Sequence, residues 1–510
     1  MIHGSPPAAR IRSACFVLSL CALGLGLWFA GSAGATGFKD QESQVQSFRL
    51  ANGLTFIVLE RHDAPVFSYR TYVNAGGVNE TAGITGIAHM FEHMAFKGTR
   101  TVGTTDFEKE APLLERIDAA WESIARETAR GEEADSSRLA VLQKEFADAR
   151  QAAGELVKSN EFSRILEGNG APDVNAYTSM DQTVYQSSFP SNRLELWARL
   201  EGDRLTNPVL REFYTEREVV QEERRFSESS PMGRLFTVWW SSCFLAHPYG
   251  NGLIGFPSDL KSLTREDAQR FFDTHYIAPN ITIALVGDVQ VAEVRRLAEK
   301  YFSGVRTGTV PPPVRTQEPK HKAEIRVTVE DEAQPMVVMG YPCPSSLEPE
   351  WAAAQLMGDI LGSGRSSRLY ERLVKKDKLA VQVSVSAGFP GDKYRNLIMV
   401  TAVAAKDATP EQLESVIREE LQRFQDEGPS PEELAKVKRR ARAGFIRALR
   451  SNGGLAERLA EHQGKLGDWR KLFRYLDEVD GVTAGNIKAL AQDTFRPQEC
   501  CIGVLRKPAS

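Results

Sequence analysis

The run Gly86-Ile-Ala-His89-Met-Phe-Glu92-His93-Met-Ala-Phe-Lys-Gly-Thr99 places two of the chain's eight histidines within five residues, with a glutamate between them. On a helix, positions i and i+4 share a face, so His89 and His93 can reach one ion. Glu92 points to nearly the same side, where it could hold a water beside that ion. The order His-x-x-Glu-His is the inverted zincin motif. Five residues alone leave two readings open, a metal site or one turn of a buried helix.

Working outward, Val45 to Gly77 reads as strands, with Asn52-Gly53 as a hairpin turn between two apolar runs. Residues 106–158 differ in kind. They are charged, alanine-rich and helical in period, with Leu139, Leu142, Phe146, Ala149, Ala153 and Leu156 as one seam. Leu113, Leu114, Ile117, Trp121 and Ile124 form the opposing stripe, and Arg130-Gly-Glu-Glu-Ala-Asp-Ser-Ser137 separates the two. The expectation is an antiparallel helical hairpin projecting from the domain with solvated outer faces. Strand signals resume at Val174 to Phe189, and a helix is expected around Thr215 to Arg225. Val310-Pro-Pro-Pro-Val314 suits a semi-rigid linker, after which strands and helices recur in similar order. The fold class expected is α+β, with two homologous-looking domains that each build a mainly antiparallel sheet with packed helices. The expected boundaries are 45–305, a linker at 306–320, and 321–508, with the hairpin inserted at 106–158. The halves share no obvious identical motif.

A hydrolytic zinc site usually takes three protein ligands and keeps one open position. The best source of a third is the helix carrying Glu216, Glu218, Glu222 and Glu223. Glu216 and Glu223 lie two turns apart and share a face, so Glu223 could ligate while Glu216 orients a ligand or the reacting water. The competing reading is a solvated acidic face paired with Arg217, Arg224 and Arg225, and the residues alone do not separate the two.

Hydrophobic residues make up 42% and charged residues 25% of the 510-residue chain, and the net charge is −4. No basic run suggests nucleic-acid binding. Arg10 and Arg12 precede Ser13 to Ala35, an apolar run ending in small residues. This is the order of a secretory signal over residues 1–35, with an uncleaved anchor helix as the alternative. The mature chain is expected in the periplasm or outside the cell, with no stable membrane span. Of six cysteines, Cys243, Cys343, Cys500 and Cys501 would remain, without metal spacing and best read as scattered buried thiols.

The motif at His89–His93, Val174-Asn-Ala-Tyr-Thr-Ser-Met-Asp-Gln-Thr-Val-Tyr185, Glu216-Arg-Glu-Val-Val-Gln-Glu-Glu223 and His247-Pro-Tyr-Gly-Asn-Gly-Leu-Ile-Gly255 occur in this order in an apparently duplicated chain. Together they resemble the pitrilysin/insulinase family of zinc peptidases, over roughly residues 45–505. The resemblance implies one Zn2+ per chain on His89, His93 and Glu223, with Glu92 as general base and Glu216 as a second acidic position of the catalytic machinery. It also implies that Asn175, Ala176 and Tyr177 form an edge strand that pairs with an extended peptide substrate in an enclosed chamber. The longer gap from His93 to Glu223 is accounted for by the 106–158 insertion. A second departure concerns an Arg/Tyr pair, seven residues apart, that self-sufficient members carry in the second domain. In Gly362 to Ser384 those places hold Val374 and Val381. The chain is therefore expected to be the metal-bearing half of a heterodimer whose partner carries the pair, with a homodimer also open. Two other readings remain: a non-catalytic scaffold with a retained motif, and a peptide-binding protein with structural zinc.

Overall fold

The computed structural model describes residues 41–508, so the signal expected at 1–35 lies outside the described residues. Two sheets organise the chain. The first contains β1 (Gln46–Arg49), β2 (Thr55–Glu60), β3 (Val66–Val73), β4 (Asn175–Thr178), β5 (Thr183–Pro190) and β6 (Ile281–Gly287), in the order β1-β2-β6-β3-β5-β4. The second contains β7 (Ile325–Glu330), β8 (Met336–Cys343), β9 (Ala380–Phe389), β10 (Asn396–Ala404) and β11 (Cys501–Arg506), in the order β7-β11-β8-β10-β9.

Set aside β1, and the two orders superpose strand for strand. The parallel pair β2–β6 corresponds to β7–β11, and every other pairing is antiparallel in both. Mixed helices and mainly antiparallel sheets in two like halves are the α+β class expected from the sequence. Gly53, at φ +102°, makes the β1–β2 turn that the Asn-Gly pair signals.

Each half lends a helix to the other's sheet. Helix Pro231–Ser242 buries Leu235 and Trp239 against Met336, Val338, Leu397, Cys501 and Leu505 of the second sheet. Helix Asn452–Leu466 buries Leu455, Ala456, Leu459 and Ala460 against Ile57, Leu59, Tyr72, Ala284 and Val286 of the first. Both begin alike: Ser230 Oγ accepts the Gly233 N–H at 3.0 Å, and Ser451 Oγ accepts the Gly454 N–H at 3.1 Å. A Cβ on Gly233 would come within 1.7 Å of the Ser227 carbonyl, and one on Gly454 within 2.4 Å of Ala448's. Ser-x-x-Gly is thus a motif common to both halves, too short to stand out in the sequence. Burial of apolar surface on both sides of each sheet makes the halves one interlocked body.

The inserted hairpin consists of helices Phe107–Thr128 and Ser136–Gly154. Its near part is docked on the domain rather than free. Trp121, tilted, and Phe146, edge-on, pack against Tyr214 at centroid distances of 5.3 Å each, and the Arg265 Nε–H donates to Asp118 at 2.9 Å. The seam and the opposing stripe leave enough aromatic surface over to cover helix Phe213–Ser229, so the insertion buttresses the helix that carries the glutamates. Its root is pinned by a fully buried pair, where Arg211 donates to both oxygens of Glu110 at 2.8 and 3.2 Å. The same guanidinium donates to the carbonyls of Lys97, Thr99 and Val102, tying down the loop after the His-bearing helix.

Cys243, Cys343, Cys500 and Cys501 are free and buried, as expected. Among the described residues no helix is long and apolar enough to cross a membrane.

Candidate metal centre

Helix Ile87–Met94 starts at Gly86, whose φ of +86° and 2.2 Å approach of a would-be Cβ to the Ile254 carbonyl admit only glycine. The first-turn N–H groups of Gly86 and Ala88 donate to the Glu80 carboxylate at 2.8 and 2.9 Å. Ile87, Ala88, Met90, Phe91 and Met94 are buried, with Phe91 packed on Phe272 and Tyr276. That packing fixes the helix rotation and turns His89, Glu92 and His93 to the other side.

Helix Phe213–Ser229 is seated by a similar logic. Phe213, Tyr214, Arg217, Val220 and Arg224 are buried. The Arg217 guanidinium lies 4.0 Å over the Trp121 ring and donates to the Leu263 carbonyl, and Arg224 donates to the Gly255 carbonyl at 2.7 Å. Two of the three arginines that a solvated acidic face would need are therefore committed to the opposite side. Arg225 does pair with Glu222, Arg224 also reaches Glu228 one turn on, and Glu218 takes Arg150 of the hairpin. The column Glu216–Glu223 faces the histidines.

His89, His93 and Glu223 each offer one ligand atom within 4.8 Å of the others. His89 Nε2 lies 3.7 Å from one Glu223 oxygen, and His93 Nε2 lies 3.8 Å from the other. These separations are too long for hydrogen bonds. They suit ligand atoms that each sit about 2.1 Å from a shared zinc ion. The His93 Nδ1–H donates to Glu216 at 3.3 Å, which fixes the tautomer that leaves Nε2 as a ligand. The Lys97 ammonium holds the other Glu216 oxygen at 2.5 Å. His89 Nδ1 is buried without a hydrogen-bond partner, so this ring is oriented by packing alone.

The electrostatics suit a set of metal donors. Burial, with the neighbouring His93, pushes His89 down to about 4, so it is neutral at pH 7 and available to a metal. The bond to Glu216 raises His93 against the opposing effect of burial. Burial pushes Glu216 upward, but the bonds from His93 and Lys97 outweigh it and leave the carboxyl below its usual range. Burial raises Glu92 above the ordinary glutamate value, against a hydrogen bond from Thr178 Oγ1 at 2.6 Å.

Asn175, Ala176 and Tyr177 belong to β4, which among the described residues pairs only with β5 and leaves its other edge free. Tyr177 turns to the opposite face, where its hydroxyl donates to Glu457 at 3.4 Å. His89, His93 and Glu223 thus converge, with Glu216 behind His93 and Glu92 bonded to Thr178 at the end of β4, while Tyr177 faces away. Glu216 approaches the site through Nδ1 of His93, away from the metal-facing atoms, and so is a positioning residue. Thr178 was missed, although strand alternation from Ala176 signals that it shares the face toward Glu92. His247 is a loop cap, as expected: its Nδ1 accepts the Tyr249 N–H at 3.1 Å.

A cavity of about 1450 Å3 lies mainly in the second half, among Gln355, Asp359, Arg440, Glu461 and His462, with Cys243 and Phe244 at its edge, and the metal trio does not line it. The site lies at the surface, where the Glu223 side chain is 43% exposed.

A family profile described as "Insulinase (Peptidase family M16)" matches residues 56–118 and 153–255, and one described as "Peptidase M16 inactive domain" matches 262–441. The chain belongs to the M16 insulinase family. The break in the first match, 119–152, falls inside the helical hairpin, which marks that hairpin as an insertion relative to the M16 pattern. Among M16 relatives, the zinc protease PqqE of Helicobacter pylori is 27% identical over 459 residues, covering 86% of this chain and 89% of that protein. The probable mitochondrial-processing peptidase subunit beta of Schizosaccharomyces pombe is 25% identical over 342 residues, covering 65% and 62%. The crystal structure of a protease from H. pylori shares the fold at TM-score 0.75 and 24% identity, covering 91% of this chain and 99% of that one. The periplasmic protease PqqL of Escherichia coli matches at TM-score 0.66 and 17% identity, with 91% of this chain on 48% of that one. The second-half match to an inactive M16 domain contains none of His89, Glu92, His93 or Glu223.

Proposed function

We propose that the chain is a zinc-dependent endopeptidase acting on peptides or unfolded segments, with His89, His93 and Glu223 as ligands and Glu92 as general base. The observation that carries this reading is the convergence of two Nε2 atoms and a carboxylate beside a separately held glutamate, next to a free strand edge. When bound, zinc supplies a Lewis acid that polarises the scissile carbonyl and acidifies the attacking water. Glu92 takes that water's proton and later delivers it to the leaving amine, a role its raised affinity for protons favours. Substrate lies along Asn175, Ala176 and Tyr177 as an added strand, held by main-chain hydrogen bonds with little demand on side chains.

Three features support a two-subunit peptidase. The site is open on the chain's own surface, and Val374 and Val381 stand where self-sufficient family members hold their Arg/Tyr pair. Val381 is 55% exposed on β9, in the second sheet's counterpart of the β4 position. A second family subunit would close the chamber and contribute the pair. The Arg10–Ala35 pattern and the periplasmic E. coli neighbour support export. The same valines also favour a second reading, a zinc-bearing subunit that does no chemistry.

The test uses zinc-loaded chain lacking residues 1–35 and a quenched, unstructured peptide, alone and with a family subunit that carries the Arg/Tyr pair. Turnover that falls at least about 10³-fold in Glu92→Gln, with zinc retained, is the expected result. Bound zinc without turnover in either mixture would leave the non-catalytic reading.

A further inference from the structure

The Glu92 carboxylate is held by Thr178, whose hydroxyl donates to it at 2.6 Å and whose backbone N–H also bonds it. Thr178 ends β4, a strand of four residues at a sheet edge, with a neighbour on one side only. So short an edge strand cannot hold a side chain to a few tenths of an ångström unaided. The turn that follows, Ser179 to Gln182, is clamped from two directions. On one side, its Ser179 and Met180 carbonyls accept the N–H groups of Gly77 and Val78 at 3.1 and 2.8 Å. On the other, Asp181, only 3% exposed, reaches the second half of the chain. One of its oxygens accepts the N–H groups of Asp392 and Lys393 at 2.8 and 3.1 Å, and the other accepts the Tyr249 hydroxyl at 2.5 Å. The Lys393 ammonium continues to Asn74 Oδ1 at 2.6 Å, and that of Lys465 bonds Asp392 at 2.5 Å. A Cβ on Gly391 would come within 2.5 Å of the Asp181 carboxylate and 2.7 Å of the Tyr249 hydroxyl, so the loop can approach only as glycine.

We propose that this Asp181 clamp is a positioning device: the second half, matched as an inactive domain, sets the geometry of the general base by fixing β4 and hence the Thr178 hydroxyl on Glu92. The inference rests on the peptidase reading above. Thr178 and Asp181 are positioning residues acting through Glu92, and neither touches the ligands.

The experiment is a double-mutant cycle on zinc-loaded chain with its activating subunit, if one is needed, using Thr178→Val, Thr178→Ser, Asp181→Asn and the Thr178→Val/Asp181→Asn pair. Misplacing a reacting group by about 1 Å costs on the order of 100-fold in rate, so Thr178→Val should lower kcat by about that factor. KM and zinc affinity should stay within about twofold, and Thr178→Ser should recover most of the loss. Asp181→Asn, which offers one acceptor oxygen to three donors, should lower kcat about tenfold. Because both act through the hold of Thr178 on Glu92, the double variant should match Thr178→Val alone. Independent, multiplying effects, a change confined to KM, or loss of zinc would overturn the proposal. Hydrogen exchange separates it from the peptidase reading. Asp181→Asn should speed exchange across 175–183 and leave 87–94 protected, even if the wild type proves to have no turnover. Unchanged exchange at 175–183 would overturn the clamp by itself.

Discussion

Removing Glu216 should weaken zinc binding without abolishing it, and the structure sets the size of the effect. Its carboxylate does two things: it accepts the His93 Nδ1–H at 3.3 Å and it neutralises Lys97 at 2.5 Å. Partners of this kind behind a metal-bound histidine are typically worth 10- to 100-fold in affinity. At 3.3 Å the bond is longer than the roughly 2.8 Å of a strong charge-assisted one, so the lower part of that range applies. Glu216→Ala should therefore raise the zinc Kd about 10- to 30-fold, equivalent to about 1.4–2 kcal/mol. Lys97 keeps Glu212 at 3.2 Å as a partner, which limits the secondary damage. Glu216→Gln retains an acceptor for His93 and should lose less than Ala does. Competition against a chromogenic zinc chelator at neutral pH measures all three proteins. A Kd within threefold of wild type in Glu216→Ala would refute the orienting role. A loss as complete as that of His93→Ala would instead make Glu216 a ligand.

Other outcomes follow from the same geometry. Arg211→Leu strands a buried Glu110 carboxylate and three backbone carbonyls, so urea unfolding should show a loss of about 3–5 kcal/mol. A loss below about 1 kcal/mol would mean the hairpin root is held by something else. In the metal-free chain, His89 has a folded value of about 4 against 6.5 unfolded, so its contribution is present above 6.5 and is lost as pH falls toward 4. Thermal midpoints of the zinc-free protein should decline across that window, and less steeply in His89→Gln. Burial opposes, but Arg368 and the Ser430 N–H outweigh it, to keep Glu433 below its usual range. This group's contribution is present above about 4.5 and disappears below it, and Glu433→Gln should flatten the acid limb of stability there.

Local periodicity makes much of this site legible in the sequence. The i, i+4 histidines and the seven-residue spacing of Glu216 and Glu223 are properties of single helices, and Asn52-Gly53 is a property of one turn. What the sequence hides is pairing across distance. The amphipathic helices Pro231–Ser242 and Asn452–Leu466 announce an apolar face but not whose sheet it covers, and each covers the other half's. Nothing local in the sequence pairs Glu110 with Arg211, which lie 101 residues apart and form a buried ion pair. Arg217 and Arg224 similarly look like partners of Glu216 and Glu223, yet they donate to the Leu263 and Gly255 carbonyls, and the carboxylate Arg224 pairs with is Glu228. The hairpin is recognisable as helices, but its docking depends on Tyr214 lying on another element.

The central claim is that three named side chains, and not Glu92, hold one zinc ion. Metal content of the purified chain and of His89→Ala, His93→Ala, Glu223→Gln and Glu92→Gln, measured after equilibration with limiting free zinc, tests it most directly. The prediction is one zinc ion per chain in the wild type and in Glu92→Gln, and sharply reduced zinc in the other three. Full zinc in any of those three, or its loss in Glu92→Gln, would contradict the assignment.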